Sequence, residues 1–395
     1  MPDREHQVGD PEGSRERDHD VVVFGATGFT GALTAQYLAE HADAGTRWAL
    51  AGRNREKLER ARETVGADVP LVIADTGDAA SMRAMAESAK VVITTVGPYI
   101  EYGEPLVAAC AAAGTAYVDL TGEPEFMDLM YVRHHAQARK SGARIIHACG
   151  FDSIPQDLGA HFTVQQLPED VPIAIEAYVR AGGNPSGGTV ASALGIMGRY
   201  RQGQKIHKER RNLEPATPGR RSRVIIGRPK RDAENGWWLL PMPTIDPQIV
   251  RLSAQADTRY GPDFSYAPYI ALKKLPQAVG LAGAVSTLFT VAQLPPARKL
   301  ISSRVPQGTG PSPEQREKGW FKVRFRGEGG GETVTTEVSG GDPGYGETSK
   351  MLAESALCLA HDDLPDVAGQ VTTAQAMGDA LRARLVRAGI RFDVL

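Results

Sequence analysis

The sequence predicts an α/β protein built on a doubly wound parallel sheet, with a second α+β domain and C-terminal helices that return to the first. Three observations predict it. Short β-rich runs alternate with helical stretches over residues 20–150. Runs such as Val21-Val22-Val23-Phe24 and Val91-Val92-Ile93 are continuously apolar, as strands are when helices cover both faces of a parallel sheet. After Gly150 the pattern shifts to alternation with period two, the mark of half-buried antiparallel strands.

Taken in order, residues 1–19 are mostly charged or polar and read as a disordered tail with no signal peptide. Strands are expected at Asp20–Phe24, Arg47–Ala51, Pro70–Ala74, Lys90–Val96, Ala116–Leu120 and Arg144–Ala148. Helices are expected near Thr30–His41, Asn54–Val65, Asp78–Ser88, Gly103–Ala113 and Pro124–Ser141. These elements make a first domain of 20–150. Pro155 favours a helix start before Gln156–Gln166. Val171, Ile173, Ile175, Ala177 and Val179 then alternate as a strand, and Phe321–Arg326 with Glu332–Val338 read as a hairpin around Gly327–Gly331. A substrate or lid domain of 151–342 follows. Tyr345–His361 and Thr373–Ala388 are amphipathic helices of a C-terminal segment, 343–395.

Composition bounds the function. The 395 residues are 42% hydrophobic and 23% charged, with net charge −2, so there is no global attraction to nucleic acid. The three cysteines, Cys110, Cys149 and Cys358, are far apart, which fits a reducing cytoplasm and leaves no disulfide framework or metal site. Charge is uneven. Residues 199–231 hold twelve Lys/Arg and two Asp/Glu, a local +10 that leaves −12 for the remainder. That stretch is either a solvated face or an anion-binding patch for a phosphopantetheine or CoA tail, an acidic acyl carrier protein or an anionic membrane surface. It lacks a nucleic-acid motif. Leu275–Leu294 is twenty residues without a charge, flanked by Lys273–Lys274 and Arg298–Lys299. A buried or lid-like helix ranks first there, a lipid-contacting helix at a membrane surface second, and a span third.

The chemistry begins at Gly25-Ala26-Thr27-Gly28-Phe29-Thr30-Gly31, between the first strand and its helix. Gly25 permits the tight turn, Gly28 lets the backbone approach a pyrophosphate, and Gly31 lets helix and strand pack closely. Amides at that helix N-terminus then hold phosphates, which makes this a Rossmann dinucleotide site. The second strand ends at Arg53-Asn54 without an acid. The Arg53 guanidinium suits a ribose 2′-phosphate, so NADP(H) is favoured over NAD(H). Asp75, after the third strand, contacts the adenine amino group or caps the next helix. Val96-Gly97-Pro98-Tyr99 ends the fourth strand where the nicotinamide should lie. Tyr99, Asp119, Glu123 and Asp152 are the catalytic candidates, with helix capping as the equal alternative for Asp119 and Asp152.

GATGFTG, AGRNREKL, TTVGPY, YVDLTGE, CGFDSIPQDLG and DPGYGETSKMLAESAL together resemble the saccharopine dehydrogenase-like reductases, in particular the mycobacterial trans-acting enoyl reductases and an animal saccharopine dehydrogenase-like oxidoreductase. The similarity runs from Val21 to Leu395. It implies hydride transfer from NADPH. In the trans-acting branch it implies an enoyl thioester on a polyketide synthase making long-chain lipids, and a chain that returns against the first domain after residue 342. No catalytic acid matches residue by residue.

Three functions stay open. An enoyl or carbonyl reductase of lipid-like, carrier-bound acyl chains requires 275–294 to line or cover the cleft. An amino-acid C–N dehydrogenase of saccharopine type requires several cationic side chains there instead. A non-catalytic NADP-binding adaptor at lipid surfaces would have a closed cleft or none. The sequence places the protein in the cytoplasm or peripherally at a lipid surface, and leaves its oligomeric state open.

Overall fold

A computed structural model describes residues 16–182, 195–242, 244–294 and 310–395. The first sheet comprises β1 (His19–Phe24), β2 (Trp48–Gly52), β3 (Leu71–Ile73), β4 (Ala89–Thr94), β5 (Ala116–Asp119) and β6 (Arg144–Ile146). Their order is 3-2-1-4-5-6, all parallel, with the reversal between β1 and β4 that opens a crevice at the carboxyl ends. β1 and β2 are buried along nearly their whole length, as their uninterrupted apolar runs require.

The tail expectation needs trimming. Residues 1–15 lie outside the described residues, but Arg17 already belongs to the fold. Its guanidinium donates to the carbonyls of Glu87 and Ala113, both at 2.6 Å, and His19 opens β1.

The second sheet contains β7 (Ile173–Gly182), β8 (Arg221–Val224), β9 (Lys230–Arg231), β10 (Trp238–Pro241), β11 (Asp263–Leu272), β12 (Trp320–Gly329) and β13 (Glu332–Gly340). β12 and β13 form the expected hairpin, and β7 pairs antiparallel with β12. On its other edge β7 runs parallel to β11, which alternation along one strand cannot reveal.

The C-terminal segment joins both halves rather than only returning to the first. Helix Gly346–His361 packs on the first domain, where the Tyr37 hydroxyl donates to Glu354 at 2.7 Å. β14 (Gly369–Val371) then extends the first sheet beside β6, while β15 (Arg391–Val394) extends the second beside β13. The expected helix Thr373–Ala388 is two, Thr373–Ala376 and Gly378–Arg387. One apolar core runs from the first sheet (Val21, Leu50, Ile93) through Leu158 and Leu352 to Phe321 and Phe325 of the second. Burial of that continuous surface fixes the two sheets about the cleft between them.

The uncharged stretch is a helix, Leu275–Ala292, but it is not buried. Only Ala278 and Ala292 are buried, and Leu275, Val279, Val285 and Phe289 are exposed. By length and composition alone it could cross a membrane. Its Leu281, Ala282, Val285, Ser286 and Phe289 face the interdomain cleft. Spacing of three and four residues puts them on one side of the helix. The lid-like part of the expectation matches this placement, and the buried part is corrected.

Candidate active site

The crevice at the carboxyl edge of the first sheet continues into a cleft of about 1800 Å³ between the two domains. One wall is the glycine-rich turn. Gly25 has φ +90°, a conformation that disfavours any side chain. A Cβ on Gly31 would stand 2.2 Å from the Gly25 carbonyl oxygen, so helix Phe29–His41 reaches this close only with glycine there. Gly28 begins that helix with no side-chain cap. Its first amides therefore lack side-chain acceptors and point an N-terminal dipole at the cleft. This cradle fits a pyrophosphate, and Gly28, Phe29, Thr30 and Gly31 line the cleft, with Thr27 exposed in the turn.

Arg53 stands exposed past β2, and Asn54 caps the next helix through the Lys57 amide at 2.9 Å. No carboxylate replaces Arg53 at that strand end. Asp75 follows β3 and accepts the Gly77 amide at 2.8 Å, while Asp78 caps the helix. Helix capping by Asp75 is thus corrected: it shapes the turn before the cap.

Gly97, Pro98 and Tyr99 line the cleft, with Val96 partly buried beside Gly25. Tyr99 contributes only its ring. Its hydroxyl donates to the Thr94 carbonyl at 3.1 Å and accepts the Leu120 amide at 3.2 Å. Burial, with Asp119 nearby, pushes that phenol well above its ordinary range. A proton-donor role for Tyr99 conflicts with this geometry.

The three candidate carboxylates do not converge. Asp119 is fully buried and absent from the cleft wall. It accepts from the Tyr117 hydroxyl, the Thr121 and Ala148 amides, and His147 Nδ1. Glu123 borders the cleft but accepts the Tyr99 and Ile100 amides at 2.9 and 3.1 Å, which holds the turn after β4. Asp152 faces the cleft, and no hydrogen-bond partner holds it among the described residues. The surrounding protein raises its carboxyl above the usual value.

Sequence reasoning missed several cleft residues. Asp342 accepts the Tyr345 and Gly346 amides at 3.0 Å and so presents Tyr345 to the cleft, where its ring meets Phe29 at 4.8 Å. The quoted stretch DPGYGETSK carried these residues without indicating a role. Across the cleft, Thr244 donates to Asp246, which also accepts from the Tyr266 hydroxyl at 3.2 Å. Burial, reinforced by Asp152, pushes Asp246 up to about 7. Pairing through a fold is invisible to spacing, so nothing in the sequence marks Asp246.

The basic stretch 199–231 is half neutralised. Arg199 pairs with Glu125 at 2.8 Å, Arg210 with Asp128 at 2.9 Å, and Arg211 with Glu214 at 2.9 Å. Arg223 pairs with Asp263 and Lys230 with Glu176, while Arg220 donates to four backbone carbonyls. Arg210 is buried, so it belongs to packing rather than to any surface patch. Arg201, Lys205 and Lys208 remain exposed on helix Tyr200–Leu213.

Residues 21–146 match the saccharopine dehydrogenase NADP-binding domain. The chain is 38% identical to a trans-acting enoyl reductase of Mycobacterium tuberculosis, over 95% of this chain and 97% of that one. A trans-acting enoyl reductase of Mycobacterium ulcerans is 35% identical, covering 95% and 98%. In fold, the chain matches apo saccharopine dehydrogenase (L-Glu forming) of Saccharomyces cerevisiae with TM-score 0.52 and 11% identity, over 95% of this chain and all of that one. With the glycine cradle, these matches make the protein an NADP-binding oxidoreductase.

Proposed function

This chain belongs to the saccharopine dehydrogenase-like reductases, in the branch of the trans-acting enoyl reductases, and on that premise we propose that it is an NADPH-dependent enoyl reductase of lipid-like acyl thioesters. The observation that carries the substrate class is the apolar face that helix Leu275–Ala292 turns to the same cleft as Gly97–Tyr99. An acyl chain buries against Leu281, Val285 and Phe289 at about 0.8 kcal/mol per methylene. A saccharopine-type substrate needs free cations for its carboxylates. Of the basic side chains on the cleft wall, Arg199 and His207 are already held by Glu125 and Asp128, which leaves Lys208 alone unpaired among the described residues, too few for several carboxylates. The open cleft disfavours an adaptor.

When bound, NADPH supplies the hydride, which reduces the β-carbon. Gly28 to Gly31 and Arg53 would hold the pyrophosphate and 2′-phosphate, and Gly97–Tyr99 would back the nicotinamide. As the double-bond electrons move to the thioester, the α-carbon needs a proton. Asp152 is placed to give it, because its carboxyl faces the cleft with no hydrogen-bond partner among the described residues and is raised above its ordinary value. It is left ionised and recovers a proton from water. Apolar walls exclude water from the reacting carbons.

We place the thioester on an acyl carrier protein whose acidic surface meets Arg201 and Lys205, so association should weaken with salt. The exposed apolar helix also suits peripheral contact with a lipid surface, which flotation with anionic vesicles tests. The function itself is tested with trans-2-enoyl N-acetylcysteamine thioesters. Expected is a kcat/KM that rises with chain length and loses that dependence in Val285→Asp and Phe289→Asp. Reduction of amino-acid imines in preference to every thioester would favour the C–N dehydrogenase.

A further inference from the structure

Helix Tyr200–Leu213 presents one face to the cleft. Arg199, Gly203, Gln204, His207 and Lys208 line it, spaced so that they share a side. At 1.5 Å per residue this face runs about 13 Å. Opposite lies the first turn of helix Pro124–Ser141, with Gly203 packed beside Glu125: a Cβ on Gly203 would sit 3.7 Å from that of Glu125, an ordinary contact.

Glu125 is 5% exposed. Its Oε2 accepts from Arg199 Nε at 2.8 Å, while Oε1 is buried with no partner among the described residues. A buried carboxylate oxygen left without a donor is costly, so a ligand that brings an N–H or O–H gains there. Arg199 already balances the charge of Glu125, which favours a neutral donor such as an amide over an ammonium group. Neighbouring Asp128 is saturated by His207, Arg210 and Gln248. Further along the same helix face, Lys208 is exposed and unpaired among the described residues.

We propose that this groove binds the phosphopantetheine arm that carries the thioester, with Glu125 Oε1 accepting an amide N–H and Lys208 pairing with the phosphate. The assignment rests on the thioester function above. It matches the arm's chemistry in sequence: an apolar wall for the acyl chain, a buried acceptor for an amide, and a cation at an exposed position for the phosphate. Gln204, on the cleft face of helix Tyr200–Leu213 with its Nε2 donating to the Tyr200 hydroxyl at 2.6 Å, offers its carbonyl oxygen to the remaining amide.

The test titrates the full-length, NADP+-saturated protein with free phosphopantetheine and with pantetheine, following heat release. Phosphopantetheine should bind more tightly than pantetheine, and Lys208→Ala should erase that difference. Glu125→Gln should weaken both by about tenfold, the scale of a hydrogen bond to a charged group. Absence of binding at millimolar concentration overturns the groove. So does equal binding by wild type and Glu125→Gln at an unchanged melting temperature. Lys208→Ala, at the surface, decides the matter if Glu125→Gln folds poorly. If phosphopantetheine binds as described but no enoyl thioester is reduced, the groove stands and the enoyl assignment falls. If thioesters are reduced while both variants bind both probes like wild type, the reverse holds.

Discussion

Asp119 Oδ2 and His147 Nδ1 lie 2.7 Å apart in the interior, and neither side chain opens on the cleft. The carboxylate ties β5 to the segment after β6, since it also accepts the Ala148 amide at 2.8 Å. Asp152, four residues beyond Ala148, is free of such ties among the described residues and faces the cleft. Asp119 thus serves the architecture, and Asp152 is left for the proposed chemistry.

That division is measurable. Asp119→Ala strands buried donors on Tyr117, Thr121, Ala148 and His147, and should lower stability by about 3 kcal/mol or more. Asp152→Asn should leave the melting temperature nearly unchanged and reduce kcat on the order of a hundredfold. Equal losses of stability in the two variants would contradict the assignment.

The glycine cradle predicts a steric effect. Gly31→Ala forces a Cβ against the Gly25 carbonyl, 2.2 Å away, and should abolish NADPH binding by displacing the helix N-terminus. Gly28→Ala would meet the same oxygen at 3.4 Å and should fold normally while binding NADPH more weakly. Fluorescence titration of both variants checks this, and full NADPH affinity in Gly31→Ala would refute it.

In the proposed function Arg53 sets cofactor choice. Arg53→Asp should weaken NADPH at least tenfold while sparing NADH, because only NADPH carries the 2′-phosphate that the guanidinium meets. Equal weakening of both nucleotides would remove Arg53 from the site.

Asp246 adds a pH signature. Burial holds its carboxyl at about 7 against an ordinary 3.8, so between those values the native state keeps a proton that the unfolded state releases. Its stabilising contribution is full below about pH 4 and is lost as pH rises through 7. Chemical denaturation of wild type and Asp246→Asn should therefore show wild type losing stability relative to the variant across that window, by a few kcal/mol. A constant difference between them would place Asp246 at an ordinary pKa.

Much of the fold was legible because the strands of a covered parallel sheet must be apolar throughout, as Val21–Phe24 and Val91–Ile93 are. The glycine turn was legible because backbone proximity leaves a residue signature at Gly25 and Gly31. Other features were hidden. β15 is four residues long and mostly exposed, so Arg391–Val394 carries no apolar pattern, and only pairing with β13 makes it a strand. The charge run 199–231 suggested one patch, yet Glu125, Asp128, Asp263 and Glu176 neutralise Arg199, Arg210, Arg223 and Lys230 through the fold. Leu275–Ala292 looked like core by composition but stands at a cleft wall, since hydropathy cannot distinguish an apolar ligand surface from an interior. Asp119 and Asp152 are alike in sequence, each closing a strand, and only burial separates them.

The most direct measurement incubates the purified protein with NADPH and a long-chain trans-2-enoyl pantetheine thioester, then identifies the product by mass spectrometry. The account predicts NADPH-dependent formation of the saturated thioester, with a solvent-derived deuterium at the α-carbon in heavy water. NADPH consumption with the double bond left intact, or no turnover of any enoyl thioester by protein that binds NADPH, would contradict it.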